Sequence, residues 1–149
     1  MDAQSLSITL QNDTEAFSIP GSLNRNTVLY FMRASICPQC NRHARELEKL
    51  LPELQMRNLD VIVIVPEDVE SALKVKERNQ LTIPVMASNG DAHALAGLDK
   101  KFLGLIQQSG TVVVDQTGTV LYKKIATNPE GSFILKDFQK YLASVQVVK

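Results

Sequence analysis

An apolar run, Val28 to Met32, stands directly ahead of two thiols, Cys37 and Cys40, three positions apart. No other stretch constrains the fold as strongly. The run is apolar on both faces, which suits a central strand covered on two sides. A short loop from Arg33 to Ile36 then meets Cys37-Pro38-Gln39-Cys40. Pro38 falls in a first helical turn, where its missing N–H costs little and its fixed φ suits the helix. A strand, a tight loop and a helix that opens on the thiol pair predict an α/β architecture.

The helix announces itself by spacing. Cys40, Ala44, Leu47, Leu51 and Leu54 recur at helical period and form one buried stripe. Arg42, Arg45, Glu46, Glu48 and Lys49 lie largely off it, and His43 is expected among these charges on the surface. Pro52 removes one helical hydrogen bond at a cost of roughly 3 kcal/mol. A kink is expected there, with the helix running on to about Arg57.

The remaining chain alternates strands and helices. Ser5 to Leu10 alternates polar and apolar residues; Phe17 to Ile19 returns as a second short strand, stopped by Pro20-Gly21. Asp60 to Val65 is an apolar strand, followed by an acid-led helix to Arg78 that packs through Val69, Ala72, Leu73 and Val75. Asn79 is expected as its left-handed stop. Ile83 to Ala87 is a short strand, Asn89-Gly90 a turn, and Asp91 to Gly97 a weak helical turn. Leu98 to Gln108 is expected as loop with one helical turn at most. Thr111 to Asp115 and Thr119 to Ile125 form a hairpin around Gly118, with Asp115 as turn-former. Asn128-Pro129-Glu130 is expected to open the last helix, which buries Ile134, Phe138, Tyr141, Leu142 and Val145.

Composition narrows the partners. The 149 residues suit one domain, 1–149, and 44% apolar content supplies one core. Sixteen basic and sixteen acidic residues cancel, so no net field draws the chain to nucleic acid or an anionic membrane. The longest apolar run is far too short to span a bilayer. The first residues lack the basic start and apolar core of a secretory signal, and only two cysteines are present, so a reducing cytoplasm is the expected location.

The thiols carry the chemistry. Cys37 stands near the helix start, where unpaired N–H groups and the dipole favour a thiolate, and is expected to reach solvent. Cys40 lies on the buried stripe, as a shielded thiol does that attacks whatever forms at Cys37. Arg33 upstream, and Arg42 and His43 downstream, are the candidates to stabilise an anion at Cys37. Plainer readings stand beside these: an inert buried thiol at Cys37, core packing at Cys40 and a solvated charge at Arg33. Zinc is the alternative for the thiols, and with His43 and His93 as the remaining nitrogen donors the set fits a four-ligand site poorly. No cofactor and no metal is therefore expected.

Taken together the elements resemble the thioredoxin fold: a three-layer α/β sandwich around a mixed sheet, with an N-terminal β-hairpin and an insertion from Leu81 to Gln108. The hairpin and the insertion are similar to the peroxiredoxin-like branch, the alkyl hydroperoxide reductase and thiol-specific antioxidant family. Phe31-x-Arg33 ahead of Cys37-Pro38-x-Cys40 resembles that family's atypical members, as do Leu50-Leu51-Pro52-Glu53, Ile83-Pro84-Val85 and Val114-Asp115-x-x-Gly118. Ordinary members carry Pro-x-x-x-Thr/Ser-x-x-Cys. Here Tyr30 and Ala34 fill the first two places, and Ser109-Gly110 stands where a second arginine is usual. The resemblance also assigns Gly110, rather than Pro84, to the cis-proline position of thioredoxins, leaving an open backbone edge for a peptide substrate.

What the resemblance implies is a thiol–disulfide oxidoreductase in which Cys37 attacks a disulfide and Cys40 resolves it. Electrons would come from a thioredoxin or glutathione system, and a homodimer is common in this branch. A peroxidase, with Cys37 oxidised to a sulfenic acid by a hydroperoxide, is the second reading. A non-catalytic binding module is the third.

Overall fold

A computed structural model describes residues 5–12, 16–88, 91–98, 100–101 and 106–145. The expected turn at Asn89-Gly90 lies outside them. Seven strands form one mixed sheet in the order β2-β1-β5-β4-β3-β8-β9: β1 (Ile8–Gln11), β2 (Ala16–Ile19), β3 (Thr27–Phe31), β4 (Asp60–Val65), β5 (Val85–Ala87), β8 (Ser109–Val114) and β9 (Val120–Ala126). β3, β4 and β5 run parallel; β8 pairs antiparallel to β3, and β9 to β8. The fold is thioredoxin-like. β3 and β8 are buried at every residue because strands flank them and layers cover both faces.

One face holds Tyr30, Met32, Cys37, Cys40, Leu47 and Phe138, beneath α1 (Pro38–Lys49), α2 (Leu51–Met56), α3 (Val69–Arg78) and α5 (Leu135–Ala143). The other holds Leu10, Leu29, Phe31, Ile64 and Met86 beneath α4 (Asp91–Leu95) and the chain to Leu98. The period-two alternation of β3 thus sends Tyr30 and Met32 toward the cysteines, and Leu29 and Phe31 away. Among the described residues no helix is long and apolar enough to cross a membrane.

Several local expectations are corrected. The helix at Pro52 does not kink; it divides into α1 and α2 at Leu50, and Pro52 sits in the first turn of α2, where it forfeits no hydrogen bond. Asp68 caps α3 by accepting from Ser71 N–H at 2.9 Å, whereas Glu67 stays outside the helix and is used elsewhere. The left-handed residue after α3 is Gln80 (φ 52°), not Asn79, whose side chain is engaged at the site. Leu73 is 44% exposed rather than packed. The Leu98–Gln108 stretch contains a two-stranded ribbon, β6 (Lys100–Lys101) with β7 (Ile106–Gln107). Asn128-Pro129-Glu130 opens a separate 3-10 turn, Pro129–Ser132, and α5 begins later with Ile134 as a half-exposed cap. The late hairpin forms as expected, Gly118 taking φ 90°.

Gly110 is the larger correction. It pairs with Phe31 on one side and Ile125 on the other, so no backbone edge is open there to a peptide. Ile83–Pro84 is trans; the cis bond among the described residues is Ile19–Pro20. Glycine is required at 110 for space. A Cβ would stand 2.8 Å from Ile125 Cγ1 and 2.9 Å from the Lys124 carbonyl oxygen, and the latter belongs to a paired strand. Gly110→Ala is therefore expected to destabilise the fold by about 1–3 kcal/mol through overpacking. A urea midpoint unchanged from the native protein would contradict this.

Candidate active site

The loop after β3 must cross from sheet to helix with its backbone largely out of water, so each polar group there needs a partner. Met32 N–H donates to the Ile64 carbonyl at 2.8 Å, extending the β3–β4 ladder by one residue. The Met32 carbonyl accepts from His93 Nε2 at 2.8 Å. Ser35 donates its N–H to the Glu67 carboxylate at 3.0 and 3.2 Å and its hydroxyl to the same group at 3.1 Å. The Ser35 carbonyl accepts from Asn41 Nδ2 at 3.0 Å and Arg78 Nη1 at 2.9 Å. Asn41 Nδ2 also reaches the Cys37 carbonyl at 2.7 Å, while its oxygen accepts from Asn79 Nδ2 at 2.6 Å. Arg45 Nη1 closes the set on Asn79 Oδ1 at 2.6 Å. Residues of α1 and α3, with Ile64, Glu67 and His93, thus hold the loop.

This lattice places Cys37 at the cap of α1. Its sulfur accepts the Cys40 N–H at 3.3 Å. The Cys37 pKa is lowered to about 6. The largest cause is the hydrogen bond from the Cys40 thiol; burial opposes it, and the Cys40 N–H, the Arg33 charge and the Gln39 N–H add to it. Cys40 is pushed strongly the other way, first by giving its proton to Cys37 and then by burial. Its sulfur accepts the Arg33 N–H at 3.3 Å. Both thiols are free, so the pair is the dithiol form. The pair thus favours the anion at Cys37 and the retained proton at Cys40.

The sequence-level expectations meet this geometry unevenly. Cys37, Cys40 and Arg33 come together, and Arg33 is half-buried and acts on Cys37 through its charge. Cys37 does not reach solvent as expected: it is 2% exposed, just below Ile36, which is 77% exposed. Asp115 is a turn-former, accepting from Thr117 and Thr119 N–H. Gly110 lies within the sheet, as described above.

His43 was expected on the surface and is instead buried, with Nδ1 2.7 Å from Tyr30 Oη. A signal for this existed. Cys40, His43, Ala44 and Leu47 follow an i, i+3, i+4, i+7 pattern, which places His43 on the buried stripe. His93 is likewise buried, between Met32 O and Ser88 Oγ (2.8 Å). Glu67, Asn41, Arg78 and Asn79 carry no sequence signal of their own.

Residues 2–123 match the family model described as the AhpC/TSA family. The chain belongs to the AhpC/TSA family. It is a peroxiredoxin-like, thiol-dependent oxidoreductase. No curated relative matches the chain by sequence. Among solved structures it is similar to the peroxidoxin BcpB from Mycobacterium tuberculosis (21% identity, 96% of this chain and 94% of that one, TM-score 0.79). It is also similar to reduced Prx3 from Vibrio vulnificus in complex with hydrogen peroxide (16% identity, 98% and 99%, TM-score 0.80). The bacterioferritin comigratory protein of Xanthomonas campestris aligns as well (16% identity, 97% of each chain, TM-score 0.75). At these identities the likeness speaks for the fold alone.

Both histidines are held neutral, their pKa values lowered to about 4 chiefly by burial. The unfolded chain therefore binds more protons between about pH 6.5 and 4, and stability falls as pH drops through that window. A loss on the order of 3 kcal/mol per histidine is expected by its lower end. Urea titrations between pH 7 and 4 check this, and a flat midpoint across that range contradicts it.

Proposed function

We propose that the protein cycles Cys37 and Cys40 between dithiol and disulfide, with Cys37 as nucleophile and Cys40 as resolving thiol. The observation that carries this reading is the Cys37 sulfur at the cap of α1, accepting the Cys40 N–H at 3.3 Å, with the second thiol buried one turn on in the same helix. An anionic sulfur attacks a substrate disulfide and releases one thiol. Cys40 then displaces the second, leaving the Cys37–Cys40 disulfide. Two electrons from a thioredoxin or glutathione system restore the dithiol. Ile36 and Pro38, exposed beside Cys37, offer such a partner an apolar rim. The charge of Arg33 supports a role in tuning Cys37. A cytoplasmic location is the expectation for a chain whose two cysteines share one motif, and the seven-stranded sheet supports a single domain, 1–149. A homodimer is the assembly to test.

A second reading, reduction of a hydroperoxide, has its own support. Cys37 is recessed to 2% exposure, which favours a small oxidant over a bulky one. Ala34 supplies no hydroxyl to such a ligand. Ser109 Oγ is buried with no hydrogen-bond partner among the described residues, on the sheet face shared by Thr111 and Tyr30.

Stopped-flow oxidation of the reduced protein separates the two readings. Rapid thiol loss with hydrogen peroxide marks the peroxidase, whereas slow loss beside rapid reduction of insulin marks disulfide exchange. Neither reaction above a free-thiol control removes both. Cys40→Ser is expected to trap a mixed disulfide at Cys37; release of substrate at the native rate contradicts the division of labour. In the native protein the iodoacetamide alkylation rate should fall to half its plateau near pH 6. Arg33→Met should move that midpoint upward, and an unmoved midpoint removes Arg33 from the site.

A further inference from the structure

Two exposed guanidinium groups flank the loop that carries Cys37, and among the described residues neither pairs with a carboxylate. Arg45 lies on α1 and Arg78 at the end of α3. Their anchors are neutral. Arg45 Nη1 donates to Asn79 Oδ1 at 2.6 Å. Arg78 Nη1 donates to the Ser35 carbonyl at 2.9 Å and to Asn41 Oδ1 at 3.4 Å. Asn79 Nδ2 donates to Asn41 Oδ1 at 2.6 Å, which joins the two anchors into one chain. Glu67, the acid of this lattice, is bonded to Ser35 through both of its oxygens. Arg25, Arg42 and Arg57, by contrast, each meet a carboxylate. Like charges on neighbouring side chains repel, and an anion that bridges them relieves that repulsion.

Arg45 and Arg78 line one shallow depression of about 360 Å³ with Ile36, Pro38 and Asn41. That volume lies in the range of small-ligand sites, about 300–1,000 Å³. Each guanidinium spends only Nη1 on the protein, which leaves other N–H groups of its planar fork open to a carboxylate. Ile36, the residue before Cys37, is 77% exposed, and Pro38, the residue after it, is exposed as well. Covering them removes apolar surface from water. Asn41 ties the depression to the nucleophile, donating to the Cys37 carbonyl at 2.7 Å. Apolar contact therefore stands next to the reactive sulfur, and Arg45 stands about two turns along α1 from it.

We propose that this depression seats the half of the substrate that becomes bonded to Cys37, and that it selects small disulfides bearing a carboxylate a few bonds from the sulfur. The inference rests on Cys37 as the nucleophile of the Cys37–Cys40 cycle. Methylenes beside the substrate sulfur lie on Ile36 and Pro38, and the carboxylate bridges Arg45 and Arg78. The Cys37 thiolate attacks the nearer sulfur: its bond to that sulfur forms, the substrate disulfide breaks, and the far half departs as a thiolate. Cys40 then bonds to Cys37 and expels the seated half, which takes the Cys40 proton and leaves as a thiol. Both protein sulfurs end oxidised and both substrate sulfurs reduced. Arg45 and Arg78 act on which disulfide is accepted, not on the sulfur chemistry itself.

Three disulfides with the same two-carbon arms separate charge from reactivity. Dithiodipropionate carries carboxylates, bis(hydroxyethyl) disulfide is neutral, and cystamine carries ammonium groups. Each is mixed in excess with the reduced full chain at low ionic strength, and thiol loss is followed by quenching in iodoacetamide and weighing the product. Dividing each rate by that of mercaptoethanol with the same reagent removes differences between leaving thiols. The normalised rate is expected to be about tenfold higher for the carboxylate than for the neutral disulfide, and lowest for the ammonium. Added salt should shrink that preference, because screening weakens exposed pairs. Arg45→Gln and Arg78→Gln should each cut the carboxylate-to-neutral ratio about threefold, and Arg45→Lys, which keeps the charge without the fork, should restore part of it. Since Arg78 also holds the Ser35 carbonyl, a disturbed loop would slow all three reagents alike and leave the ratio unmoved. Equal normalised rates in the native protein, even beside rapid reduction of insulin, overturn the assignment, as does a ratio unmoved by both arginine variants. Failure of the cycle itself looks different, since no Cys37–Cys40 disulfide would then form with any of the three.

Discussion

One hydrogen shared between two sulfurs organises this molecule. Burial alone would raise both thiol pKa values, because it disfavours the charged form of each. The Cys40 proton, directed at Cys37, reverses that for one sulfur and deepens it for the other. Hydrogen bonds outweigh desolvation at Cys37 because the helix start adds N–H groups to the same sulfur. The Arg33 charge ranks behind these. A local contact between neighbours in sequence thus sets the reactivity, and more distant charge adjusts it.

That contact holds only while the loop before it holds. Ser35 and Cys37 are buried and carry backbone polar groups that little water reaches, and an unmet group there costs about 1–3 kcal/mol. Asn41 of α1, Arg78 of α3 and Glu67 just ahead of α3 meet those groups, and Asn79 holds Asn41 in place. Asn41 is the centre, with its amide and its oxygen both engaged. The loop is therefore ordered before any substrate arrives, which is what fast thiol chemistry requires of its geometry. The same lattice ties α3 to α1, so the packing of the fold and the placing of the nucleophile are one arrangement.

Much of this was legible in the residues. Continuous apolar runs betrayed β3 and β4, because parallel central strands bury both faces. Gly118 marked the hairpin through its left-handed turn. Proline was harder: Pro52 looks like a kink inside a helix, yet the same residue is at ease in the first turn of a new one. Asn79 looks like a stop, but its amide is worth more bonded to Asn41, and Gln80 takes the positive φ. Among charged neighbours His43 looks solvated, yet it shares the period of the buried stripe, and Tyr30 and Phe133 from other elements close over it.

By itself the sequence determined the thiol pair, its place at a helix start and the α/β order, since all three follow from spacing over a turn or two. Tertiary structure alone decided that Cys37 is recessed, that Gly110 is walled in by two strands, and that Tyr30 and His43 bond to each other in the core. The physical reason is range. Periodicity and capping act between neighbours, whereas burial and side-chain hydrogen bonds depend on which distant elements close over them, as Ser132 does over Tyr30, 102 residues away.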